Sequence, residues 1–336
     1  MTRADAPTIW AVSDGRAGIR AQALGLAEAT ARLTGAVVTE KRLAIRRPWD
    51  RLPARAWGDP FARLAAGSDD LAPPWPDVLI GCGRRAVPFA EAMPERTLTV
   101  MCQDPRVKPA RFGLVVPPVH DGLDGANVFA ILGSPNRLTE ARLAADAAKL
   151  EAALPPLPRP LTALLIGGDS KDHRMTPAGV AGILDVAEAC AGLGQGLLVS
   201  YSRRTPEAAI AALTEGLENL PAWIWDGRDV PDAGRGGLRN PYFGMLGLAG
   251  RVLVTSDSAN MVTEAAFTGR PVHLLPLQGG GAKWRRFHAG LAAHGVLRPD
   301  AGLGDDWTYP PLRETDRAAQ VVVAAMAERG LLGTGG

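Results

Sequence analysis

Residues 252–265 have the sequence VLVTSDSANMVTEA, in which a short apolar run is joined to a helical pattern by small polar residues. The run Val252–Thr255 is typical of a buried strand, because it is short, apolar and rich in β-branched side chains. Ser258 suits the start of a helix, since its hydroxyl can accept a hydrogen bond from a free backbone N–H group. The stretch therefore predicts a strand, a turn and a helix in succession.

The same succession recurs along the chain. The predicted strands are Ile9–Ser13, Val37–Thr39, Asp77–Ile80, Thr97–Cys102, Leu114–Val116, Val128–Leu132, Leu161–Ile166, Leu197–Ser200, Ala222–Trp225, Val252–Thr255 and Val272–Leu275. Strands that alternate with helices form right-handed βαβ units and parallel sheets with helices on both faces. Because the two halves repeat this architecture, the sequence predicts an α/β protein with two Rossmann-like parallel-sheet domains.

Chain length and a proline-rich segment predict where the two domains meet. The chain has 336 residues, enough for two domains of roughly 150 residues each. Residues 154–160, LPPLPRP, interrupt the pattern, because proline at this density stiffens the chain and ends helices. We expect an N-terminal domain at 1–153, which includes a helix at Leu138–Ala153, and a C-terminal domain at 161–311. The last helix, within 312–330, is expected to pack back on the N-terminal domain.

Composition argues against several classes of protein. A net charge of +2 provides no overall attraction to nucleic acid. The cysteines at 82, 102 and 190 form no CxxC pair, so no zinc site is predicted and a reducing compartment is favoured. No secretory signal pattern precedes the first strand, and no apolar run reaches the roughly 18 residues that span a bilayer. We expect a cytoplasmic protein that, at most, makes transient peripheral contact with the inner face of the cytoplasmic membrane.

Residues that suit ligand binding follow nearly every predicted strand. In doubly wound sheets, ligands lie beyond the carboxyl ends of the strands. Glycines let the backbone approach a ligand, and helix N-termini present free N–H groups to anions, so Gly167-Gly168 and Ser256–Ser258 are both candidates to hold phosphate. The alternative is that these glycines and serines only close turns and cap helices. No GxGxxG or Walker pattern occurs, so an ordinary dinucleotide or P-loop site is not predicted.

Glu264 and an arginine pair complete the predicted C-terminal site. Glu264 lies about two turns into the helix that starts at Ser258, where its carboxylate could accept both hydroxyls of a ribose. The alternative is a solvated helix carboxylate. Arg203 and Arg204 follow the strand Leu197–Ser200, where a bound diphosphate would lie. The five histidines are scattered and no GxSxG motif occurs, so nucleophilic hydrolysis is not predicted.

The chain resembles the elongated-mitochondria-type family of plant mitochondrial fission proteins and its bacterial relatives. The resemblance covers most of the chain and depends on the motifs together. They lie at residues 13–18, 22–27, 83–85, 103–106, 120–121, 136–139, 167–168, 202–206, 240–242 and 255–265.

That family is similar to the GT-B glycosyltransferases, so the resemblance implies two Rossmann-like domains facing a cleft. It also implies that a nucleotide-diphosphate sugar binds the C-terminal domain, with the ribose on Glu264, and that Asp14 is the catalytic base for an acceptor on the N-terminal domain. The expected nucleotide-binding residues are Gly167, Gly168, Ser170, Ser200, Tyr201, Arg203, Arg204, Thr255, Ser256, Asp257, Ser258, Met261 and Glu264. The expected acceptor-side residues are Gly15, Arg16, Gly18, Gln22, Gly83 and Arg84.

The resulting expectation is a glycosyltransferase that uses no metal ion and no cofactor. The helix N-terminus after Ser256 and cations such as Arg203, Arg204 or Lys283 can offset the charge of a diphosphate. The base, the sugar and the acceptor stay open, with a cell-envelope lipid or glycan as a candidate acceptor. Two other functions are compatible with the same fold: a non-catalytic adaptor that binds protein partners, and a nucleotide-sugar epimerase.

Overall fold

Two five-stranded parallel sheets organise the chain, one in each of two compact units. The structure is a computed structural model that describes residues 6–53, 56–225 and 240–332. Unit 1 comprises the chain up to Arg137 together with the segment from Arg313 onward. Unit 2 comprises Leu138–Leu312. The predicted fold class, α/β with two Rossmann-like domains, is confirmed.

Most predicted strand runs become strands, and the inner ones are buried because their apolar residues are covered by helices on both faces of the sheet. The strands are β1 (Thr8–Ser13), β2 (Val37–Arg42), β3 (Val78–Gly81), β4 (Leu98–Met101), β5 (Leu114–Val115), β6 (Leu161–Ile166), β7 (His173–Arg174), β8 (Gly196–Tyr201), β9 (Ala222–Trp225), β10 (Arg251–Thr255), β11 (Val272–Leu275) and β12 (Gln278–Gly279). The α-helices are α1 (Ala17–Thr34), α2 (Val87–Glu91), α3 (Glu140–Ala153), α4 (Pro177–Gly192), α5 (Glu207–Gly216), α6 (Tyr242–Leu248), α7 (Ala259–Ala266), α8 (Ala282–Ala293) and α9 (Glu314–Glu328).

The strand order of each sheet reverses at one place. In unit 1 the order is β2-β1-β3-β4-β5, so the reversal lies between β1 and β3. In unit 2 the order is β11-β10-β6-β8-β9, so the reversal lies between β6 and β10. The loops that leave the carboxyl ends of two neighbouring strands diverge at such a reversal and leave a crevice for a ligand.

A predicted strand at Val128–Leu132 is wrong. The segment makes only isolated bridges, from Val128 to Val115 and from Ile131 to Pro118. The chain opposite contains Pro117 and Pro118, which have no backbone N–H group to donate, so a continuous ladder cannot form.

Helix α3 lies in unit 2, although the sequence analysis placed it in the N-terminal domain. It packs so closely on α6 that a Cβ atom at Gly244 would lie 2.6 Å from the carbonyl oxygen of Asp146, and one at Gly247 would lie 2.6 Å from that of Leu143. The proline-rich segment 154–160 therefore lies within unit 2, and the chain passes from one unit to the other at Arg137.

Helix α9 packs in unit 1, where Ala318, Val322 and Met326 are fully buried in one apolar cluster with residues of α1 and of the sheet. The segment that follows β5 is also bonded to α9, because the Leu132 N–H donates to the Glu314 carboxylate at 2.8 Å. Within residues 6–53, 56–225 and 240–332, no helix has both the length and the apolarity to cross a membrane.

Candidate functional site

Two loops interlock at the strand reversal of unit 2. The Thr255 hydroxyl, at the end of β10, accepts a hydrogen bond from the Gly167 N–H at 2.7 Å and donates one to the Asp257 carboxylate at 2.7 Å. The same carboxylate accepts from the Gly168 N–H at 3.1 Å. The loop after β6 and the turn before α7 are therefore held side by side at the crevice.

The two glycines are required by this close approach. A Cβ atom at Gly167 would lie 2.1 Å from an Asp257 carboxylate oxygen, and one at Gly168 would lie 2.1 Å from the Arg204 carbonyl oxygen. Both distances are far below contact distance, so no side chain fits at either position. The loops after β6, β8 and β10 are thus in close contact at two buried glycines, whose N–H groups both donate within the protein. This differs from the prediction that the backbone of Gly167 and Gly168 holds a phosphate.

Asp257 orients an arginine at the rim of this crevice. The Arg204 guanidinium lies 2.6 Å from the Asp257 carboxylate, whose side chain is fully buried, whereas that of Arg204 is 40% exposed. Arg203 is exposed. The Asp257 carboxylate is thus bonded within the protein, whereas the side chains of Arg203 and Arg204 are exposed cations beside it.

Helix α7 begins where the sequence predicted, and it carries Glu264 at the same end of the sheet. The Ser258 hydroxyl caps it by accepting from the Met261 N–H at 3.4 Å. The Glu264 carboxylate accepts a hydrogen bond from the Tyr242 hydroxyl at 3.0 Å and is only 8% exposed. The alternative of a solvated helix carboxylate is thereby excluded. Tyr242 belongs to the motif at residues 240–242, but its pairing with Glu264 was not predicted, because 22 positions separate the two residues in sequence.

Burial changes the protonation of this pair. It raises the pKa of the Glu264 carboxyl to about 7, and the hydrogen bond from Tyr242 and the charge of Arg142 offset part of that rise. Burial also raises the pKa of Tyr242 well above its usual value, so its hydroxyl stays a donor. Arg142 belongs to α3, which explains why the placement of that helix in unit 2 affects the site. A carboxyl group poised near neutral pH can gain charge when a ligand supplies hydrogen bonds.

Two of the predicted serines bond within the protein. The Ser170 hydroxyl accepts from the N–H groups of Asp172 at 3.2 Å and His173 at 3.0 Å, which closes the turn before β7. The Ser256 hydroxyl accepts from the Leu277 N–H at 3.1 Å and so ties the turn before α7 to the segment after β11. Both hydroxyls therefore accept hydrogen bonds within unit 2.

Tyr201 lies in the apolar core of unit 2, and this differs from the prediction that it binds nucleotide. Its side chain is buried among core residues, and its hydroxyl lies 3.2 Å from that of Thr214 on α5. The physical reason is the alternation of a strand, which turns Tyr201 toward the helical layer. Ser200 is buried as well, whereas Met261 is half-buried in the first turn of α7.

His173 is a residue that the sequence analysis missed. It is buried on β7, its ring packs edge-on against Trp284 at 4.7 Å, and among the described residues its Nδ1 has no hydrogen-bond partner. Burial lowers its pKa, which the charge of Asp257 partly restores. Only the antiparallel pairing of β7 with β12 brings His173 beside the crevice, and two-residue strands leave no periodic signal.

Unit 1 places Asp14 at its own strand reversal, directly after β1. Its carboxylate accepts from the Arg16 backbone N–H at 3.2 Å and from the Arg16 guanidinium at 2.8 Å. The Arg85 guanidinium lies 4.0 Å away. The Asp14 side chain is only 2% exposed. Arg84, which was predicted to bind the acceptor, donates instead to the Asp50 carbonyl at 2.6 Å, so its neighbour Arg85 is the one that reaches Asp14.

The other predicted acceptor residues support this loop. Gln22 is buried, and its side-chain oxygen accepts from the Gln103 amide at 3.0 Å, which links α1 to the segment after β4. Gly15 and Gly83 occupy the turns after β1 and β3 with positive φ angles, and Gly18 lies in the first turn of α1. Gln22 therefore lies beneath the surface of unit 1, bonded to Gln103.

Two Rossmann-like units, each with glycine-containing loops at its strand reversal, define a protein of the GT-B fold. The UDP-GlcNAc 2-epimerase of Neisseria meningitidis, solved bound to UDP-GlcNAc, is similar with a TM-score of 0.51 and 11% identity over 96% of this chain and 99% of that one. The UDP-GlcNAc 2-epimerase of Methanocaldococcus jannaschii, in complex with UDP-GlcNAc and UDP, has a TM-score of 0.52 and 10% identity over 96% and 99%. At these identities the likeness establishes the fold.

The chain belongs to the family described as Mitochondrial fission ELM1, whose model matches residues 17–326. The Mitochondrial fission protein ELM1 of Arabidopsis thaliana is 26% identical over 76% of this chain, and the match spans 65% of the plant protein, less than two thirds of its length. An uncharacterized protein of Rickettsia prowazekii is 24% identical over 95% of this chain and 98% of its own length. The family resemblance drawn from the motifs is confirmed.

Proposed function

We propose that this protein is a glycosyltransferase that binds a nucleotide-diphosphate sugar on unit 2 and transfers the sugar to an acceptor bound on unit 1. The observation that carries the proposal is the buried Glu264 carboxylate, held by Tyr242 on the helix that follows the interlocked loops. A buried carboxylate near neutral pKa is costly to keep, which favours a role in binding over one in stability. The two epimerases of the same fold were solved with UDP-GlcNAc bound, which supports a nucleotide-sugar ligand here.

The donor would bind across the crevice of unit 2. The ribose hydroxyls would donate to Glu264, since an ionised carboxylate can accept two hydrogen bonds. The diphosphate would lie against the N-terminus of α7, with Arg203 and Arg204 offsetting its charge. The same cations would stabilise the nucleoside diphosphate as it leaves.

Asp14 is the proposed base. In the transfer, the acceptor hydroxyl oxygen forms a bond to the anomeric carbon, the bond from that carbon to the diphosphate breaks, and the hydroxyl proton passes to Asp14. In this structure the carboxylate is held by Arg16, so the acceptor hydroxyl would have to displace that guanidinium. A general base of this kind contributes a factor of about 10² to 10⁴ in rate.

A two-stage experiment tests the proposal. A thermal-shift screen with UDP, GDP, ADP, CMP and their sugars identifies the donor, and nucleotide release with an envelope-lipid extract then measures transfer. Asp14→Asn should keep the fold and donor binding while transfer falls by about 10² or more. Asp59→Asn is a matched control, because Asp59 is also an aspartate that accepts from the backbone N–H two residues later, at 3.0 Å from Phe61.

Each outcome has a distinct meaning. Donor binding with transfer that Asp14→Asn abolishes and Asp59→Asn leaves intact supports the transferase. Conversion of the donor into its epimer without any acceptor would identify an epimerase instead. No binding of any nucleotide or sugar nucleotide would overturn the proposal in favour of an adaptor without catalytic activity.

A further inference from the structure

Arginines lie at the carboxyl ends of four successive strands in the sheet of unit 1. The strand order begins β2-β1-β3-β4, so the residues that follow these strands lie along one edge. Arg42 is the last residue of β2, and the others follow β1, β3 and β4 within five residues. They are Arg16, Arg84, Arg85 and Arg106. We call this set, with Arg42, the arginine edge.

Three arginines of the arginine edge lie at or beside Asp14, whereas Arg106 pairs with Asp104 at 3.3 Å. Arg16 and Arg85 lie 2.8 Å and 4.0 Å from its carboxylate. The Arg42 side chain lies against the next residue, because a Cβ atom at Gly15 would lie 2.9 Å from its Nε atom. Guanidinium groups from three neighbouring strands thus meet at the position proposed for the acceptor.

Part of this positive charge is left without a carboxylate partner. Arg84 donates to a neutral carbonyl, that of Asp50, which does not offset its charge. Within the described residues no carboxylate forms an ion pair with the Arg42 guanidinium; Asp69 accepts from its backbone N–H instead. Arg16 is paired with Asp14, and its own side chain is 69% exposed.

The start of α1 adds to the positive potential. This 18-residue helix begins at Ala17, directly after Arg16, whose side chain makes no capping hydrogen bond. Its first turn also contains no acidic residue. The N-terminus of a helix carries partial positive charge and favours anions.

We infer that the arginine edge binds a phosphate group carried by the acceptor, an inference that rests on the proposed function. A carboxylate is planar and is satisfied by one bidentate arginine, whereas phosphate offers at least three oxygens in a tetrahedron. Arginines that converge from several strands match the tetrahedral group. The acceptor class is therefore a phosphorylated lipid headgroup or a soluble phosphate ester.

Phosphate binding would also release the base. Arg16 is bound to Asp14 in the absence of acceptor, and a phosphate is a stronger competitor for a guanidinium because it carries more charge. Transfer of Arg16 to the phosphate leaves the Asp14 carboxylate free to accept the proton of the attacking hydroxyl. The arginine edge then links acceptor binding to the liberation of the base.

Binding is tested with the full chain and two sources of phosphate. Calorimetry measures the affinity for glycerol 3-phosphate, and flotation measures binding to phosphatidylcholine vesicles that contain phosphatidic acid. The test variant is Arg42→Gln with Arg84→Gln, which removes two guanidiniums that hold no carboxylate. The control is Arg32→Gln with Arg285→Gln, which removes the same charge from exposed arginines outside the edge.

We expect the test variant to bind phosphate at least tenfold more weakly, with unfolding temperature unchanged and the control unaffected. Binding to vesicles alone identifies a lipid headgroup, and binding to both probes identifies a phosphate ester in either form. Equal losses in test and control variants, or equal binding to vesicles in which oleate replaces phosphatidic acid, would overturn the inference. Because neither assay needs a donor, phosphate binding that depends on Arg42 and Arg84 stands even where no transfer is found.

Discussion

Binding of a nucleotide should release a proton from Glu264. The pKa of this carboxyl is about 7 in the free protein, so roughly half of the molecules carry the proton at neutral pH. Hydrogen bonds from ribose hydroxyls stabilise the ionised form and lower the pKa. A nucleotide therefore binds best to the protein with ionised Glu264, and its binding causes the protonated molecules to release their proton.

The size of the effect follows from the burial of Glu264. Return of its pKa from about 7 to the ordinary value of 4.5 corresponds to about 3 kcal/mol of linked binding energy as an upper limit. At pH 6.5 the free carboxyl would be protonated in about three-quarters of the molecules, so binding should release about three-quarters of a proton. For the same reason, affinity should be about tenfold lower at pH 6 than at pH 8.

Calorimetric titration at pH 6.5 in two buffers with different ionisation enthalpies measures the released proton directly. Glu264→Gln cannot ionise, so its proton release should fall to what the phosphates of the ligand contribute by themselves. Glu215→Gln, at an exposed glutamate of α5, is the matched control and should behave as the parent. Inorganic pyrophosphate has no ribose and should show no difference between the parent and Glu264→Gln. Equal proton release by the parent and Glu264→Gln with the preferred nucleotide would refute the ribose role of Glu264.

Two further predictions concern unit 2. The pKa of Glu264 in the folded state lies above the ordinary 4.5, so between about pH 4.5 and 7 the folded state keeps a proton that the unfolded state loses, and the free energy of unfolding falls as pH rises. Urea titrations should show a shallower fall for Glu264→Gln. The same pH dependence in parent and variant would contradict the burial argument. Arg203→Met should weaken binding of a nucleoside diphosphate far more than binding of the nucleoside. Arg204→Met should do the same and should also lower the free energy of unfolding by about 1–3 kcal/mol, because it leaves the buried Asp257 without its cation. Titration with both ligands and chemical denaturation measure these effects, and equal effects of the two variants on stability would contradict this division of roles.

Local patterns were sufficient for much of unit 2. The strand β10, the cap at Ser258 and the helix α7 lie where their residues predicted, because strand, turn and helix signals depend on neighbours a few residues apart. Gly167 and Gly168 were predicted to bind phosphate, with turn closure as the alternative, but the sequence could not show that Asp257 and the Arg204 backbone fill the space of their side chains.

What the sequence determined by itself was therefore the order of strands and helices, the parallel sheets and the turn motifs at the strand ends. Only the tertiary structure decided that Tyr242 holds Glu264, that Arg85 and not Arg84 reaches Asp14, and that α3 packs in unit 2. The physical reason is distance along the chain. Some of these contacts join residues far apart in sequence, and one involves Arg85 rather than the adjacent, chemically identical Arg84. The periodicity of the sequence does not predict these contacts, because they depend on how the strands and helices pack against one another.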